Sequence, residues 1–267
     1  MNALSLFSGI GGLDIAAEWA GFKTVAFCEQ DRYCQKVLAK HWPGVKIYDD
    51  VRALPTHELP RLDLLHGGYP CQPFSTAGAR KGESDVRHLW PEMFRIVREA
   101  KPTWVVAENV KGHITLGLDS VLDDLEGAGY STQTYCIPAC SIGAVHRRER
   151  LFILAHAAGD GRDESSSTGG HVQTDDAWGS EGKKKDCEHE GCCGVRPALD
   201  WRGREIGTWG VEPRALRVDD GLPNRVDRNR VLGNSVSPQQ AYPIFAAIAE
   251  TYNVELSSRP TLNEETE

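Results

Sequence analysis

Long apolar runs are missing from this sequence of 267 residues. No stretch approaches the roughly 18 residues that a membrane-spanning helix needs. The first residues carry no basic segment and no cleavage site, so we expect no signal peptide. The eight cysteines are scattered and form no evenly spaced disulfide framework. These absences predict a cytoplasmic protein without a membrane anchor, because thiols stay reduced in that compartment.

An excess of positive charge is also missing, since the formal net charge is −8. This net charge does not indicate a nucleic-acid-binding protein. It does not exclude one either, because binding needs only a locally basic surface. The apolar content of 40% and the charged content of 25% are ordinary for a globular protein with a sizeable core. We find no internal repeat.

Strand-like and helix-like stretches alternate along the first part of the chain. The predicted strands cover residues 3–7, 23–28, 45–48, 62–65, 103–107, 130–137 and 151–155. The predicted helices cover residues 13–20, 31–41, 88–100, 121–129 and 239–252, with Ser237 as N-cap and Pro243 as a kink or a delayed start. Such alternation predicts an α/β protein with a Rossmann-like, doubly wound and mostly parallel sheet.

The composition changes near residue 157, which divides the chain. Residues 1–156 form the predicted main domain, and residues 157–225 form a smaller irregular segment rich in polar residues and glycine. Residues 226–252 return to the main domain, and residues 253–267 are a predicted flexible tail.

Cys71 lies where an α/β protein places its chemistry. The run of residues 62–65 predicts a buried strand, and Gly67, Gly68, Pro70 and Pro73 are expected to end regular structure at once. A cysteine on a stiff loop at the carboxyl end of a parallel strand is either a nucleophile or a small buried packing residue.

A glycine-rich loop, residues 8–12, joins the first predicted strand to the first helix. A dinucleotide fingerprint would need a third glycine where Asp14 stands, so a small adenosine ligand without a pyrophosphate fits better than a nicotinamide cofactor. Glu29 ends the second strand and could accept from ribose hydroxyls, and Asp50 ends the third and could accept from an adenine amino group. The alternative is a plain turn with surface carboxylates.

These motifs, in this order, resemble the cytosine-5 DNA methyltransferases that use S-adenosylmethionine. The resemblance covers nearly the whole chain, with residues 70–75 as the nucleophile motif, 108–110 as the glutamate motif, 147–150 as the arginine motif and 233–236 as a late motif. It implies that the irregular segment is a target-recognition domain. It also implies cofactor contacts from Phe7, Ser8, Gly9, Gly11, Gly12, Glu29, Asp50, Val51, Asn234 and Ser235.

The resemblance implies four catalytic residues and no metal. The Cys71 thiolate would add to carbon 6 of cytosine and make carbon 5 nucleophilic, with Arg148 lowering the pKa of the thiol. Glu108 would stabilise the ring at N3, Arg150 would lie beside the pocket, and Asn109 would brace the loop.

The implied partner is double-stranded DNA, from which the target cytosine must be flipped out. DNA contacts are expected from Gln72, Ser75, Arg80 and Lys81, on a loop of residues 75–87 that would close as a lid. We also expect a cognate restriction endonuclease as a partner of the system, and a monomer.

Two alternative functions remain open at this point. The same core could methylate cytosine-5 in tRNA, or the chain could be a catalytically inactive DNA-binding regulator. Val145 and His146 stand where the family usually has Pro-Gln, so the packing of the arginine motif is less defined. Four residues of metal-binding types cluster late in the chain, but their spacing does not favour zinc: Cys187, His189, Cys192 and Cys193.

Overall fold

One mixed sheet organises the protein. The computed structural model describes residues 1–70, 89–144, 147–157 and 234–258, with the backbone alone for 253–258. In these ranges seven strands pair in the order β3-β2-β1-β4-β5-β7-β6. The strands are β1 (Asn2–Leu6), β2 (Lys23–Cys28), β3 (Lys46–Tyr48), β4 (Leu64–Gly68), β5 (Trp104–Val110), β6 (Tyr130–Ile137) and β7 (Arg150–Ala157).

Strands β1 to β5 run parallel, and the last two strands are antiparallel. β7 lies antiparallel between β5 and β6. The predicted α/β class and mostly parallel sheet are therefore confirmed. The strand order reverses between β1 and β4, which are direct neighbours. In open α/β sheets, ligands bind outside the carboxyl ends of the strands at such a reversal.

Helices cover both faces of the sheet in the described ranges. They are α1 (Gly12–Trp19), α2 (Arg32–His41), α3 (Trp90–Ala100), α4 (Leu118–Gly127) and α5 (Pro238–Ser258). Buried residues of α3 and α4, such as Met93 and Leu125, share one apolar core with the sheet. Buried residues of α1 and α5, such as Ala17 and Phe245, form the second core on the opposite face.

Helix α5 returns to the main domain from a distant part of the sequence. It begins at Pro238, so Pro243 lies inside it and does not delay its start, and it continues to Ser258 beyond the predicted end at Tyr252. The ring of Phe245 lies 6.4 Å from that of Phe22. The Tyr252 hydroxyl donates to Oδ1 of Asp63 at 2.5 Å. None of the helices in the described ranges is long and apolar enough to cross a lipid bilayer.

The prediction that Gly67 and Gly68 end strand β4 is wrong. Both glycines belong to the strand, where Gly67 pairs with Leu6 and Gly68 with Glu108. A Cβ atom on Gly67 would lie 2.4 Å from the carbonyl oxygen of Leu6, so the residue is a glycine because β1 approaches closely. A glycine inside a strand can mark such an approach as well as a break.

Strand β5 also extends further than predicted. It reaches Val110, so Glu108 and Asn109 are strand residues and do not follow the strand. The loop of residues 75–87 and the expected recognition segment lie outside the described residues, apart from Ala157 at the end of β7.

Candidate active site

Hydrogen bonds hold the glycine-rich loop, residues 8–12, in place at the carboxyl end of β1. The Ser8 hydroxyl donates to the Ser5 carbonyl at 3.2 Å, and the amide of Gly11 donates to the Ser8 carbonyl at 2.9 Å. A Cβ atom on Gly12 would lie 2.5 Å from the carbonyl oxygen of Val236. Glycine at position 12 therefore lets the loop pack directly on the segment that leads into α5.

Glu29 joins this loop to the end of β2. Its two carboxylate oxygens accept from the amides of Gly9 and Asp31, each at 2.7 Å. Burial raises the pKa of Glu29 above its ordinary value, and the two amides oppose that rise by stabilising the ionised form. The carboxylate is thus held at the edge of the loop by backbone groups whose position is fixed.

Glu108 faces the same region from β5. Arg150 Nε lies 2.8 Å from Oε1 of Glu108, and only 12% of each side chain is exposed. Burial raises the pKa of Glu108 to about 7. The free-energy cost of removing the carboxylate from water is larger than the stabilisation that Arg150 and Arg148 give to its negative charge. Glu108 can therefore hold a proton near neutral pH.

Arg148 connects the arginine motif to the segment before α5. One of its terminal guanidinium nitrogens donates to the carbonyl oxygen of Ser235 at 2.7 Å. Its backbone has a φ of 24°, in the left-handed region that residues other than glycine rarely adopt. Such a conformation costs on the order of 1–3 kcal/mol and persists only where the surroundings impose it.

Tyr69 anchors the chain just before Cys71. Its hydroxyl and Nε2 of His113 lie 2.6 Å apart, and both side chains are buried. The Asn109 side-chain amide donates to the Tyr69 carbonyl at 3.4 Å. Cys71 itself lies outside the described residues, as do Gln72, Ser75, Arg80 and Lys81. Tyr69 and His113 were not among the predicted site residues, although Tyr69 stands next to the nucleophile motif.

A cavity of about 250 Å³ joins the glycine loop to Glu108. Eight of the predicted site residues line it: Phe7, Ser8, Gly9, Gly12, Glu29, Glu108, Asn234 and Ser235. Gly11, Asp50, Val51, Arg148 and Arg150 are not part of the lining. Asp50 is exposed and accepts from the amide of Arg52, and Val51 is buried in the core.

Sequence reasoning missed six further lining residues. They are Ile10, Leu13, Asp31, Cys34, Gly68 and Val236. Ile10 and Val236 lie inside motifs that the sequence singled out, so the signal was present. Asp31 caps α2, with its side chain accepting from the amides of Tyr33 and Cys34, and nothing in the sequence separates this capping role from a place in the cavity.

Metal-ligand residue types do not converge in the described part of the chain. No group of three His, Cys, Asp or Glu side chains there could hold a metal ion. The four residues considered for zinc, at positions 187, 189, 192 and 193, lie outside the described residues.

Comparison with known proteins identifies the family. Residues 1–184 match the family model of the C-5 cytosine-specific DNA methylases. The chain is 36% identical over 175 residues to the type II methyltransferase M2.BsuMI of Bacillus subtilis, a match that covers 61% of this chain and 44% of that protein. It is 35% identical over 178 residues to the type II methyltransferase M.AquIA of Picosynechococcus, with coverages of 58% and 72%. The chain thus spans less than half of the Bacillus relative.

Solved structures show the same fold. A structure described as a DNA modification methyltransferase encoded within an E. coli prophage matches with a TM-score of 0.51 and 27% identity, over 59% of this chain and 47% of that one. DNMT2 of Spodoptera frugiperda matches with a TM-score of 0.51 and 22% identity, over 61% and 53%. With the family model spanning most of its length, the chain belongs to the C-5 cytosine-specific DNA methylase family.

Proposed function

We propose that the protein is a DNA (cytosine-5-)-methyltransferase that takes its methyl group from S-adenosylmethionine and uses Cys71 as nucleophile. The observation that carries the proposal is the cavity. It has a loop suited to an adenosine at one end and a buried carboxyl group that can hold a proton, Glu108, at the other. Membership of the methylase family supports the same chemistry.

The residues at the first end fit S-adenosylmethionine. A Cβ atom on Gly9 would have no heavy atom within 4 Å, so the backbone there is open to a ligand. In our proposal Glu29 accepts from the ribose hydroxyls, and Phe7, Asn234 and Ser235 form the surrounding wall. When bound, this cofactor supplies a methyl group on a sulfonium, which is activated for transfer to a carbon nucleophile.

The chain's own groups prepare the cytosine. The Cys71 thiolate forms a bond to carbon 6 of the flipped-out base, which moves electron density to carbon 5. Protonated Glu108 donates to N3 and stabilises the charge that develops on the ring. After carbon 5 has been methylated, that carbon loses its proton, the bond to sulfur breaks and the aromatic ring is restored.

Arg150 keeps Glu108 oriented in this scheme. Its guanidinium contacts one carboxyl oxygen at 2.8 Å, which leaves the other oxygen, Oε2, close to Gly68 of β4. The pair therefore presents the carboxyl group in a fixed direction, toward the strand that leads to Cys71. Asn109 supports the same segment through its contact with the Tyr69 carbonyl.

The proposed macromolecular partner is double-stranded DNA, contacted by Gln72, Ser75, Arg80 and Lys81. We further propose that the enzyme acts as a monomer in the cytoplasm, within a restriction-modification system that includes a cognate endonuclease. The support for this setting is that relatives such as M2.BsuMI and M.AquIA are named type II methyltransferases.

Transfer of a labelled methyl group tests the proposal. The purified protein is incubated with methyl-tritiated cofactor and either unmethylated phage DNA or tRNA, and bisulfite sequencing then locates the modified cytosines. We expect label in DNA only, at cytosines within one short sequence. Label in tRNA alone would select the RNA-modifying alternative, and no label in either would contradict the proposal.

A covalent trap tests the role of Cys71 separately. DNA that carries 5-fluorocytosine in the identified site cannot lose the carbon-5 substituent, so the adduct should persist on a denaturing gel. Wild type is expected to form the complex, and Cys71→Ala is expected to form none. Full turnover by Cys71→Ala would show that another group attacks the ring.

A further inference from the structure

One buried side chain joins both ends of the connection between β6 and β7. Gln240, in the first turn of α5, has no exposed surface. Its Nε2 donates to the carbonyl of Ile137 at the end of β6, at 2.9 Å, and to the carbonyl of Arg148 just before β7, at 3.1 Å. A single carboxamide thus joins the end of β6 to the stretch that carries Arg147 and Arg148. We call the described residues of this connection, 138–144 and 147–149, the arginine segment.

The contact between α5 and the arginine segment runs in both directions. The guanidinium of Arg148 donates to the carbonyl of Ser235, two residues before the proposed N-cap of α5. Ser235 also lines the cavity. Within the arginine segment, the amide of Ala139 donates to the carbonyl of Arg147 at 2.6 Å. Each partner therefore uses a side chain to hold the backbone of the other.

Arg148 needs this support. Its φ of 24° lies in the left-handed region, which a residue with a side chain adopts only under constraint. One hydrogen bond from Gln240 ends on the carbonyl of this same residue. A further constraint is the contact of its own guanidinium with Ser235. Removal of the Gln240 donors would leave two partly buried carbonyls without this partner and would remove one constraint on the strained residue.

We propose that Gln240 is a positioning residue for methyl transfer, which sets Arg148 and Arg150 against Glu108. The inference rests on the proposed function. Among the described residues, two cations favour the ionised form of Glu108: Arg150, whose Nε lies 2.8 Å from Oε1, and Arg148. β4 presents Gly68 to the carboxyl group, while the carboxylates of Glu29 and Asp31 line the cavity from the side of β2.

The loss of Gln240 has a consequence that can be measured. If the arginine segment moves away from Glu108, the carboxylate loses part of the positive charge that favours ionisation. The pKa of Glu108 then rises further, because burial already disfavours the charged form. Since the proposed mechanism uses protonated Glu108, activity would persist to higher pH, although its maximum would fall with the misplaced arginines.

The experiment compares Gln240→Met with Gln239→Met in the full-length protein. Methionine keeps the length of the side chain and removes the donors. Gln239 is a neighbour whose Oε1 accepts from the Ser237 hydroxyl within the same turn. With tritiated cofactor and unmethylated phage DNA, we expect Gln240→Met to lower kcat about tenfold to a hundredfold. We also expect the alkaline limb of its pH profile to move up by about one unit. Gln239→Met should match wild type in both measurements.

A second measurement does not depend on activity. Hydrogen exchange read by mass spectrometry should show faster exchange in residues 147–150 of Gln240→Met, and of Gln240→Glu, which keeps the shape of the side chain. A role limited to folding would lower the active fraction equally at every pH and leave the limb in place. An unmoved limb in an active Gln240→Met enzyme, or unchanged exchange in both variants, overturns the inference. Absence of methyl transfer by wild type would instead contradict the proposed function.

Discussion

At the scale of single residues, Glu108 shows how burial can outweigh a neighbouring cation. The carboxyl group contacts Arg150 at 2.8 Å, yet its pKa is raised to about 7. The free-energy cost of removing the carboxylate from water is larger here than the stabilisation by the arginine, as is common for buried ion pairs. The result is a group that can donate a proton at physiological pH, which an exposed glutamate cannot do.

We predict that Glu108→Gln lowers kcat and changes its pH dependence. Wild-type activity should fall as pH rises through about 7, because Glu108 ionises there. Glutamine still donates to N3 but cannot transfer a proton, so kcat should fall by about a hundredfold, at the lower end of general acid effects. Because glutamine does not titrate, the decline near pH 7 should disappear from the variant's profile.

The matched control is Glu149→Gln, since Glu149 pairs with Lys111 at 3.0 Å outside the cavity. Its profile should keep the wild-type decline. Methyl-transfer rates measured from pH 5.5 to 9 check both variants. A decline near pH 7 that survives in Glu108→Gln would assign that titration to another group.

A second pair of titratable residues lies beneath the glycine loop. Asp14 and His66 are both fully buried, with Nε2 of His66 3.5 Å from Oδ1 of Asp14. The carboxyl oxygens of Asp14 accept from Ser5 and Thr24, yet burial raises the pKa of Asp14 to about 7. Burial also lowers the pKa of His66 to about 3. Both side chains are therefore neutral in the folded protein near pH 5.

These two shifts act in opposite directions on stability. The contribution of Asp14 is complete below its unfolded pKa near 3.8 and is lost as pH rises to about 7. The contribution of His66 is complete above 6.5 and is lost as pH falls toward 3. Between pH 4 and pH 6.5 the unfolded pair holds its proton on His66 and the folded pair holds it on Asp14. The two dependences therefore cancel.

We predict that Asp14→Asn removes this cancellation. With His66 alone, the free energy of unfolding should gain a positive slope between pH 4 and 6.5, of up to about 1.4 kcal/mol per pH unit relative to wild type. Urea unfolding midpoints at four pH values measure the slope. Asp123→Asn, which removes an exposed carboxylate of α4, is the control and should leave the slope unchanged. An Asp14→Asn profile parallel to that of wild type would show that folded Asp14 does not hold the extra proton in this pH range.

At the scale of elements, the close contact between β1 and β4 determines where the site begins. β4 continues through Gly67 and Gly68, because the carbonyl of Leu6 leaves no room for a side chain at position 67. The two strands therefore stay paired to their carboxyl ends, and the glycine loop and the segment leading to Cys71 emerge side by side. This adjacency places the glycine loop beside the end of β4, from which the chain continues toward Cys71.

We predict that Gly67→Ala destabilises the protein by about 1–3 kcal/mol, as overpacking does in a close-packed interior. The added methyl group would lie 2.4 Å from the Leu6 carbonyl oxygen, and backbone cannot move aside as a flexible side chain can. Gly127→Ala, near the end of α4, is the matched control. A Cβ atom there meets nothing within 4 Å, so helix propensity should make it neutral or stabilising by up to about 1 kcal/mol. Urea unfolding compares them, and equal midpoints would contradict the close approach.

Most elements of this fold could be predicted from the sequence, because periodicity and glycine or proline boundaries mark them. Strands β2 and β6 match the predicted residues 23–28 and 130–137. The errors at β4 and β5 have one cause. Residues at the carboxyl ends of these strands must allow a neighbouring strand to come close or must face the cavity. Gly67 and Glu108 are therefore not the β-branched or aromatic residues by which strands are predicted.

The candidate site was predictable where a motif is local and less so where it depends on packing. Glu29 was identified from its place at a strand end, and Phe7 and Glu108 from the family resemblance, and all three line one cavity. Asp31 and Cys34 reach that cavity through the tertiary packing of the chain, which no local pattern encodes. The support of Arg148 by Gln240 joins residues 92 positions apart, so it becomes visible only in the folded chain.

At the scale of the whole molecule, the cavity depends on two distant parts of the chain. The first part supplies eleven lining residues, between Phe7 and Glu108, and the second supplies Asn234, Ser235 and Val236. The second part is held in place by α5, whose Phe245 packs beside His66 and whose Tyr252 bonds to Asp63. A ligand in the cavity would therefore contact the early strands and the late segment together and should stabilise both.

We therefore predict that S-adenosylhomocysteine, the demethylated form of the proposed cofactor, stabilises the protein as one unit. At a hundredfold excess over Kd the gain in the free energy of unfolding is about 2.7 kcal/mol, which should raise Tm by roughly 5 to 10 °C in a single transition.

The variant Glu29→Gln tests the contact with the ligand. Glutamine keeps an acceptor for one amide but has no negative charge with which to accept from two hydroxyls, so the affinity for the ligand should fall about tenfold or more. Asp49→Ala, which removes an exposed carboxylate outside the cavity lining, should keep the wild-type shift. Calorimetric scans of the three proteins check this prediction. If Glu29→Gln shows the full shift, or if only part of the protein is stabilised, the cavity does not join the two segments in the way that its lining indicates.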